Sequence, residues 1–144
     1  MKSFFPDINV WVALVFRGHQ HHSFAARWFD QLKDGTAGFC RLTQLGFLRL
    51  ITLPTVMQDD VRNHRQAWEA YDLLTSDPRV VFYSEPDASV IDHEFRALTS
   101  SGQLSSGQWP DAYLAAFASA ARLTIVTFDR SLARLAGRET HLLK

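Results

Sequence analysis

Three aspartates carry the chemistry that this sequence can offer. Asp7 interrupts the apolar run "FFPDINVWVALVF", Asp111 stands at the head of the Ala-rich stretch "WPDAYLAAFASAAR", and Asp129 closes "LTIVTFD". An unpaired carboxylate inside an apolar run costs several kcal/mol, so Asp7 in particular needs a reason. Carboxylates brought together repel, which raises their pKa values unless something positive sits among them. A hard divalent cation such as Mg²⁺ or Mn²⁺ is the simplest counter-charge, because it prefers oxygen ligands and keeps several waters. Each acid also fits a plainer role. Asp129 before "RSLARL" suits a helix N-cap, Asp111 suits a helix first turn, and Asp7 suits a turn at a strand end.

Around these acids the sequence offers phosphate-binding and base-stacking groups. Arg17, His19, His21, His22, Arg49 and Arg130 are candidate phosphate contacts, and Trp11 and Trp109 are candidate stacking platforms. Trp11, Trp28 and Trp68, at helical spacing, fit a core or a dimer surface as well. The histidine run fits a solvated loop better than a Zn²⁺ site, since no third ligand is evident.

The elements that must position the acids follow from periodicity. "SFFPD" reads as a buried strand ended by Pro6 and Asp7, and "INVWVALVF" leads into a helix. "HHSFAARWFDQLKDG" is a second helix with Gly35 as its C-cap, and "TAGFC" is a brief strand. "LTQLGFLRLI" places Leu42, Leu45, Leu48 and Ile51 at spacings of three on an amphipathic helix face. "PTVMQDDVRN" reads as a loop, "HRQAWEAYDLLTSD" as a helix through Ala67, Trp68, Tyr71 and Leu74, and "RVVFYSE" as a strand. A helix over "DASVIDHEFRALTS", a Ser/Gly-rich loop "SGQLSSG" and the Ala-rich helix with Pro110 in its first turn come next. "LTIVTFD" is the last clear strand, and "RSLARLAG" a short closing helix. Short apolar strands alternating with helices predict an α/β fold, a parallel sheet with helices on both faces. In such a sheet ligands bind outside the carboxyl ends of the strands, where Asp7 and Asp129 both fall.

Composition sets the outer limits. The chain has 144 residues, nearly half of them apolar, which suits a single domain over residues 1–144 with a proper core. Its 15 basic and 15 acidic side chains cancel, so any binding to nucleic acid is local and salt-dependent. The lone Cys40 forms no internal disulfide and fits a small buried side chain in a reducing, cytoplasmic setting. No apolar run reaches the roughly 20 residues needed to cross a bilayer, so no membrane span is expected. P-loop and dinucleotide fingerprints are absent, and no nucleotide cofactor is implied. A flavodoxin-like phosphoacceptor does not fit either: no lysine lies between Lys33 and Lys144, and Asn9 stands where a haloacid-dehalogenase-type phosphatase has a second aspartate.

In order and spacing, "FPDINVWVAL", "WPDAYLAAFA" and "IVTFDRSL" resemble the signature blocks of the PIN domain. The likeness is greatest to the VapC-type ribonuclease toxins of type II toxin-antitoxin pairs. "CRLTQLGFLRLIT" and the H-x-H-H…A-x-x-W run over residues 19–28 extend it along nearly the whole chain. The resemblance implies a three-layer α/β/α fold and a Mg²⁺- or Mn²⁺-dependent endoribonuclease acting on transfer RNA or other structured RNA. It also implies a homodimer and a cognate VapB-like antitoxin, whose tail places a basic side chain among the acids. Asp7, Asp111 and Asp129 match the family's acidic metal ligands, Thr127 its hydroxyl residue near the last acid, and Asn9 its small polar residue after the first. One departure stands out: Gln44 occupies the place of the family's usual glutamate. It offers a carbonyl oxygen without the charge, so it would orient water or substrate, and weaker metal binding is expected. The alternative is a catalytically weakened PIN-like module that binds RNA or a protein partner.

Overall fold

The computed structural model describes residues 2–137 and 140–144. The chain opens with strand β1 (Lys2–Pro6) and helices α1 (Ile8–Val15) and α2 (His22–Asp30). Strand β2 (Gly35–Phe39), helix α3 (Arg41–Ile51), the short α4 (Pro54–Met57), α5 (His64–Thr75) and strand β3 (Val80–Phe82) follow. The second half consists of α6 (Ala88–Thr99), α7 (Trp109–Ala121), β4 (Thr124–Thr127), α8 (Arg130–Ala136) and β5 (Thr140–Leu142). All strand pairs are parallel, in the order β3-β2-β1-β4-β5. The chain therefore runs outward from β1 in one direction, then returns to build β4 and β5 on its other side. The point where the order reverses lies between β1 and β4, and in open parallel sheets that crevice is where ligands bind.

Alternation along β1 feeds both faces of the sheet. Phe4 packs edge-on against Trp28 at 5.7 Å, in a core that also holds Trp11, stacked on Phe39 at 4.2 Å. Phe5 points the other way and stacks on Phe117 of α7 at 5.0 Å. The first core gathers α1, α2, α3 and α5, and the second gathers α6, α7 and α8, so the sheet is covered on both sides as expected. Cys40 is buried, free and at the N-cap of α3. Among the described residues, no helix is long and apolar enough to cross a membrane.

Several local expectations are corrected. Gly35 is not a helix C-cap. The α2 helix stops at Asp30, and Gly35, at φ +144°, begins β2 where a Cβ would stand 2.3 Å from the Lys2 carbonyl oxygen. It is the close approach of β1 that requires glycine there. The "PTVMQDDVRN" segment is not a plain loop, because Pro54 starts α4 at a position that tolerates proline and Gln58–Asp60 form a 3₁₀ turn. A fifth strand, β5, pairs with β4 beyond the last strand expected. The buried face of α3 is Thr43, Gln44, Phe47 and Ile51, whereas Leu45 is 60% exposed. Trp11 and Trp28 are core residues, and Trp68 is half exposed.

Candidate active site

The geometry begins with Pro6, which ends β1 and turns the chain into α1. Asp7 caps that helix: its Oδ1 accepts the Ile8 amide at 2.7 Å. The Asp7 amide donates to the Val126 carbonyl of β4 at 2.8 Å, which ties the two strand ends together. Thr127, the fully buried last residue of β4, donates its hydroxyl to Asp7 Oδ2 at 3.2 Å and accepts the Asp129 amide at 3.0 Å. Asp129 in turn caps α8, accepting the Ser131 amide at 2.8 Å. Asp111 lies in the first turn of α7, one residue past Pro110.

Electrostatics show that the three acids share one neighbourhood. Burial raises the Asp7 carboxyl above its usual range, and the Asp129 charge adds to this against the hydrogen bonds from Ile8 and Thr127. Asp111 is pushed up to about 6, first by desolvation and then by the charges of Asp7 and Asp129. Neither ion pair formed among the described residues involves any of the three. Oxygen donors that repel one another without a basic partner form a set that a hard divalent cation suits. The set is not closed, however: among the described residues, no three His, Cys, Asp or Glu side chains come together as a ready ion shell. Asp7 and Asp129 each commit one oxygen to the helix they cap.

The remaining candidates are distributed unevenly. Gln44 is buried, and its contacts are with neighbours on α3 and α5. Its Oε1 accepts Arg41 Nη1 at 2.6 Å, and its carboxamide lies against the Tyr71 hydroxyl. Asn9, Arg17 and Arg130 are exposed, Asn9 on α1 and Arg130 immediately after Asp129. Arg49 instead lines a groove of about 380 Å³ with Leu45, Leu48, His64 and Trp68, which none of the three acids lines. His21 reaches the rim of the site, its ring stacked at 4.4 Å on Phe128, the residue between Thr127 and Asp129. His22 donates Nδ1–H to the Ala13 carbonyl at 2.7 Å, and His19 Nδ1 accepts the His21 amide, so both serve the loop. Trp11 is no stacking platform, since it is fully buried; Trp109 is 55% exposed. Sequence reasoning passed over Arg41 and Phe128. The helical i, i+3 spacing of Arg41 and Gln44 was the available signal for the first.

A profile of the PIN domain family matches residues 4–138. Ribonuclease VapC41 of Mycobacterium tuberculosis is 37% identical over 142 residues, spanning 95% of this chain and 96% of that protein. Among solved structures, VapBC2 from Rickettsia felis, bound to a DNA fragment from its promoter, superimposes with a TM-score of 0.72 at 16% identity, covering 99% of each chain. VapC20 of M. tuberculosis, a sarcin-ricin loop cleaving toxin, gives a TM-score of 0.68 at 16% identity, covering 98% of this chain and 99% of that one. At such identities the likeness of the solved structures concerns the fold alone.

Proposed function

The chain belongs to the PIN domain family, and on that premise we propose that it is a metal-dependent endoribonuclease, the toxin of a VapBC-type pair, which hydrolyses phosphodiester bonds in transfer RNA or other structured RNA. The observation that carries this reading is the Thr127 hydroxyl joining Asp7 to the Asp129 turn, with the raised Asp111 carboxyl facing both charges. Asp7, Asp111 and Asp129 would hold Mg²⁺ or Mn²⁺. A cation held by these residues would supply Lewis-acid chemistry, lowering the pKa of an attacking water and offsetting charge on the phosphate. The chain's own part is positioning. Strand ends β1 and β4 fix two carboxylates on rigid backbone, and the α7 N-terminus brings in the third. Asn9 and Arg130 flank them as substrate contacts. No covalent intermediate on the protein is needed.

Its partners, on this reading, are a second copy of the chain and a VapB-like antitoxin, consistent with relatives solved as VapBC complexes. A second reading is a PIN-like module that binds RNA or protein without cutting. It is favoured by Gln44, uncharged and bonded to Arg41, and by the lack, among the described residues, of three acids gathered as a ready ion shell. Cleavage of total cellular RNA by the purified chain, free of any partner, separates the two. Discrete fragments that need Mg²⁺ or Mn²⁺, stop in EDTA and vanish with Asp7→Asn are expected of the nuclease. A folded chain that binds RNA and cuts none, across several RNA classes, would replace it with the binding module.

A further inference from the structure

Arg41 begins α3 directly after Cys40, at the carboxyl end of β2, and its side chain is exposed. Two contacts fix the guanidinium. Nη1 donates to Gln44 Oε1 at 2.6 Å, and the Phe82 ring, at the end of β3, lies 5.0 Å from the guanidinium carbon. Gln44 is itself buried beside Tyr71, so the support is not a floppy surface pair. Phe82 is 44% exposed and forms the outer wall. Arg41 belongs to neither ion pair formed among the described residues. The result is an oriented cation whose charge is not cancelled and whose other N–H groups are free for a planar, two-pronged acceptor.

The place of this cation matters as much as its geometry. β2 is the direct neighbour of β1, and adjacent strands lie about 5 Å apart. Arg41 therefore stands on the same carboxyl edge as Asp7, one strand along. We propose that Arg41 is a phosphate anchor for the RNA backbone, gripping a phosphate beside the one cut and held in place by Gln44 and Phe82. This rests on the ribonuclease reading above. It also gives Gln44 a physical purpose. A glutamate at position 44 would pair with Arg41 and cancel its charge, whereas the amide holds the guanidinium by one hydrogen bond and leaves it positive. Residue 44 would thus trade a carboxylate near the acids for a working cation on the substrate side.

The test is binding of a fluorescein-labelled RNA hairpin by the full chain in EDTA, titrated over a salt series. Arg41→Ala should weaken binding about tenfold and lower the salt slope by about 0.7 to 0.9, the loss of one phosphate contact. Arg41→Lys should recover only part, because a point charge replaces the fork. Gln44→Glu should weaken hairpin binding as well, although the fold and Arg41 are kept. Unchanged affinity and slope in Arg41→Ala would overturn the anchor and leave the nuclease reading intact. Tighter hairpin binding by Gln44→Glu would overturn it too, as would loss of antitoxin capture by Arg41→Ala with RNA binding unaltered. If the wild type binds no hairpin at any salt, the anchor fails, and metal-dependent cleavage of cellular RNA decides the nuclease reading separately.

Discussion

The Thr127 hydroxyl donates to Asp7 Oδ2 at 3.2 Å from the last position of β4, reaching across 120 residues of sequence to the end of β1. Because the same oxygen accepts the Asp129 amide, one buried hydroxyl sets the relative placement of two acids. Thr127→Val keeps the shape and removes both bonds. It should cost about 1–3 kcal/mol in urea denaturation, the usual penalty for partners left unsatisfied in a buried setting. RNA cleavage should fall on the order of tenfold or more, since small misplacements of reacting groups are expensive. Thr127→Ser should restore most of both. A Thr127→Val protein that cuts RNA like the wild type would show that the hydroxyl does not position the acids.

The repulsion among the carboxylates predicts an unusual gain. Asp111→Asn removes a charge that burial first, and then Asp7 and Asp129, disfavour, so in EDTA the variant should melt higher than the wild type, by about a few degrees. Added Mn²⁺ should raise the melting temperature of the wild type by mass action and that of the variant much less. Scanning fluorimetry with and without Mn²⁺ measures both effects. A lower melting temperature for Asp111→Asn in EDTA would mean that Asp111 stabilises the fold through some contact other than its charge.

The same acids fix the sign of one pH dependence. Asp7 and Asp111 have folded pKa values above the ordinary 3.8, Asp111 at about 6, so between these values the folded chain binds more protons than the unfolded one. The Asp111 contribution to stability is fully present below 3.8 and is lost as pH rises toward about 6, and that of Asp7 is lost as pH rises through its raised folded value. Asp77 acts in the opposite sense. Its hydrogen bonds from Arg79 lower its pKa, and that contribution is lost as pH falls through the folded value. The clean observable is therefore a difference. The stability of wild type minus that of Asp111→Asn, in EDTA, should fall as pH rises from about 4 to about 6, and a flat difference would contradict the placement of Asp111.

How much of this was open to sequence reasoning varies by element. Asp7, Asp111 and Asp129 were visible because a carboxylate at the end of an apolar run is costly without a partner, and the run also reveals the strand. That Asp7 and Asp129 would each give one oxygen to the helix it caps depends on local backbone geometry, which periodicity does not report. The α3 face was misplaced for a different reason. Leucines three apart suggest a stripe, but the helix buries Thr43 and Gln44, polar residues satisfied by Cys40, Arg41 and Tyr71. Hydrophobicity alone does not find a buried polar face that has its own partners. β5 escaped because "THL" is too short and too polar to show a period.

Gly46 offers a test of how helix packing supports Asp7. A Cβ at this position would stand 2.2 Å from Ile8 Cδ1 and 3.0 Å from its Cγ1, so Ile8 of α1 can lie this close to α3 here only because residue 46 has no side chain. Two effects then oppose each other in Gly46→Ala. Alanine is favoured over glycine inside a helix by roughly 0.5–1 kcal/mol. Overpacking against a β-branched side chain, stiff at χ1, costs about 1–3 kcal/mol. The clash should win, giving a net loss of about 1 kcal/mol, and the strain falls on Ile8, whose amide holds Asp7 Oδ1. Cleavage should therefore drop together with stability. Ile8→Val removes the clashing methyl, so on this background Gly46→Ala should become neutral or stabilising and cleavage should recover. Urea denaturation and RNA cleavage across this double-mutant cycle measure the coupling directly. Additive effects would mean that the Gly46 contact does not reach Asp7 through Ile8.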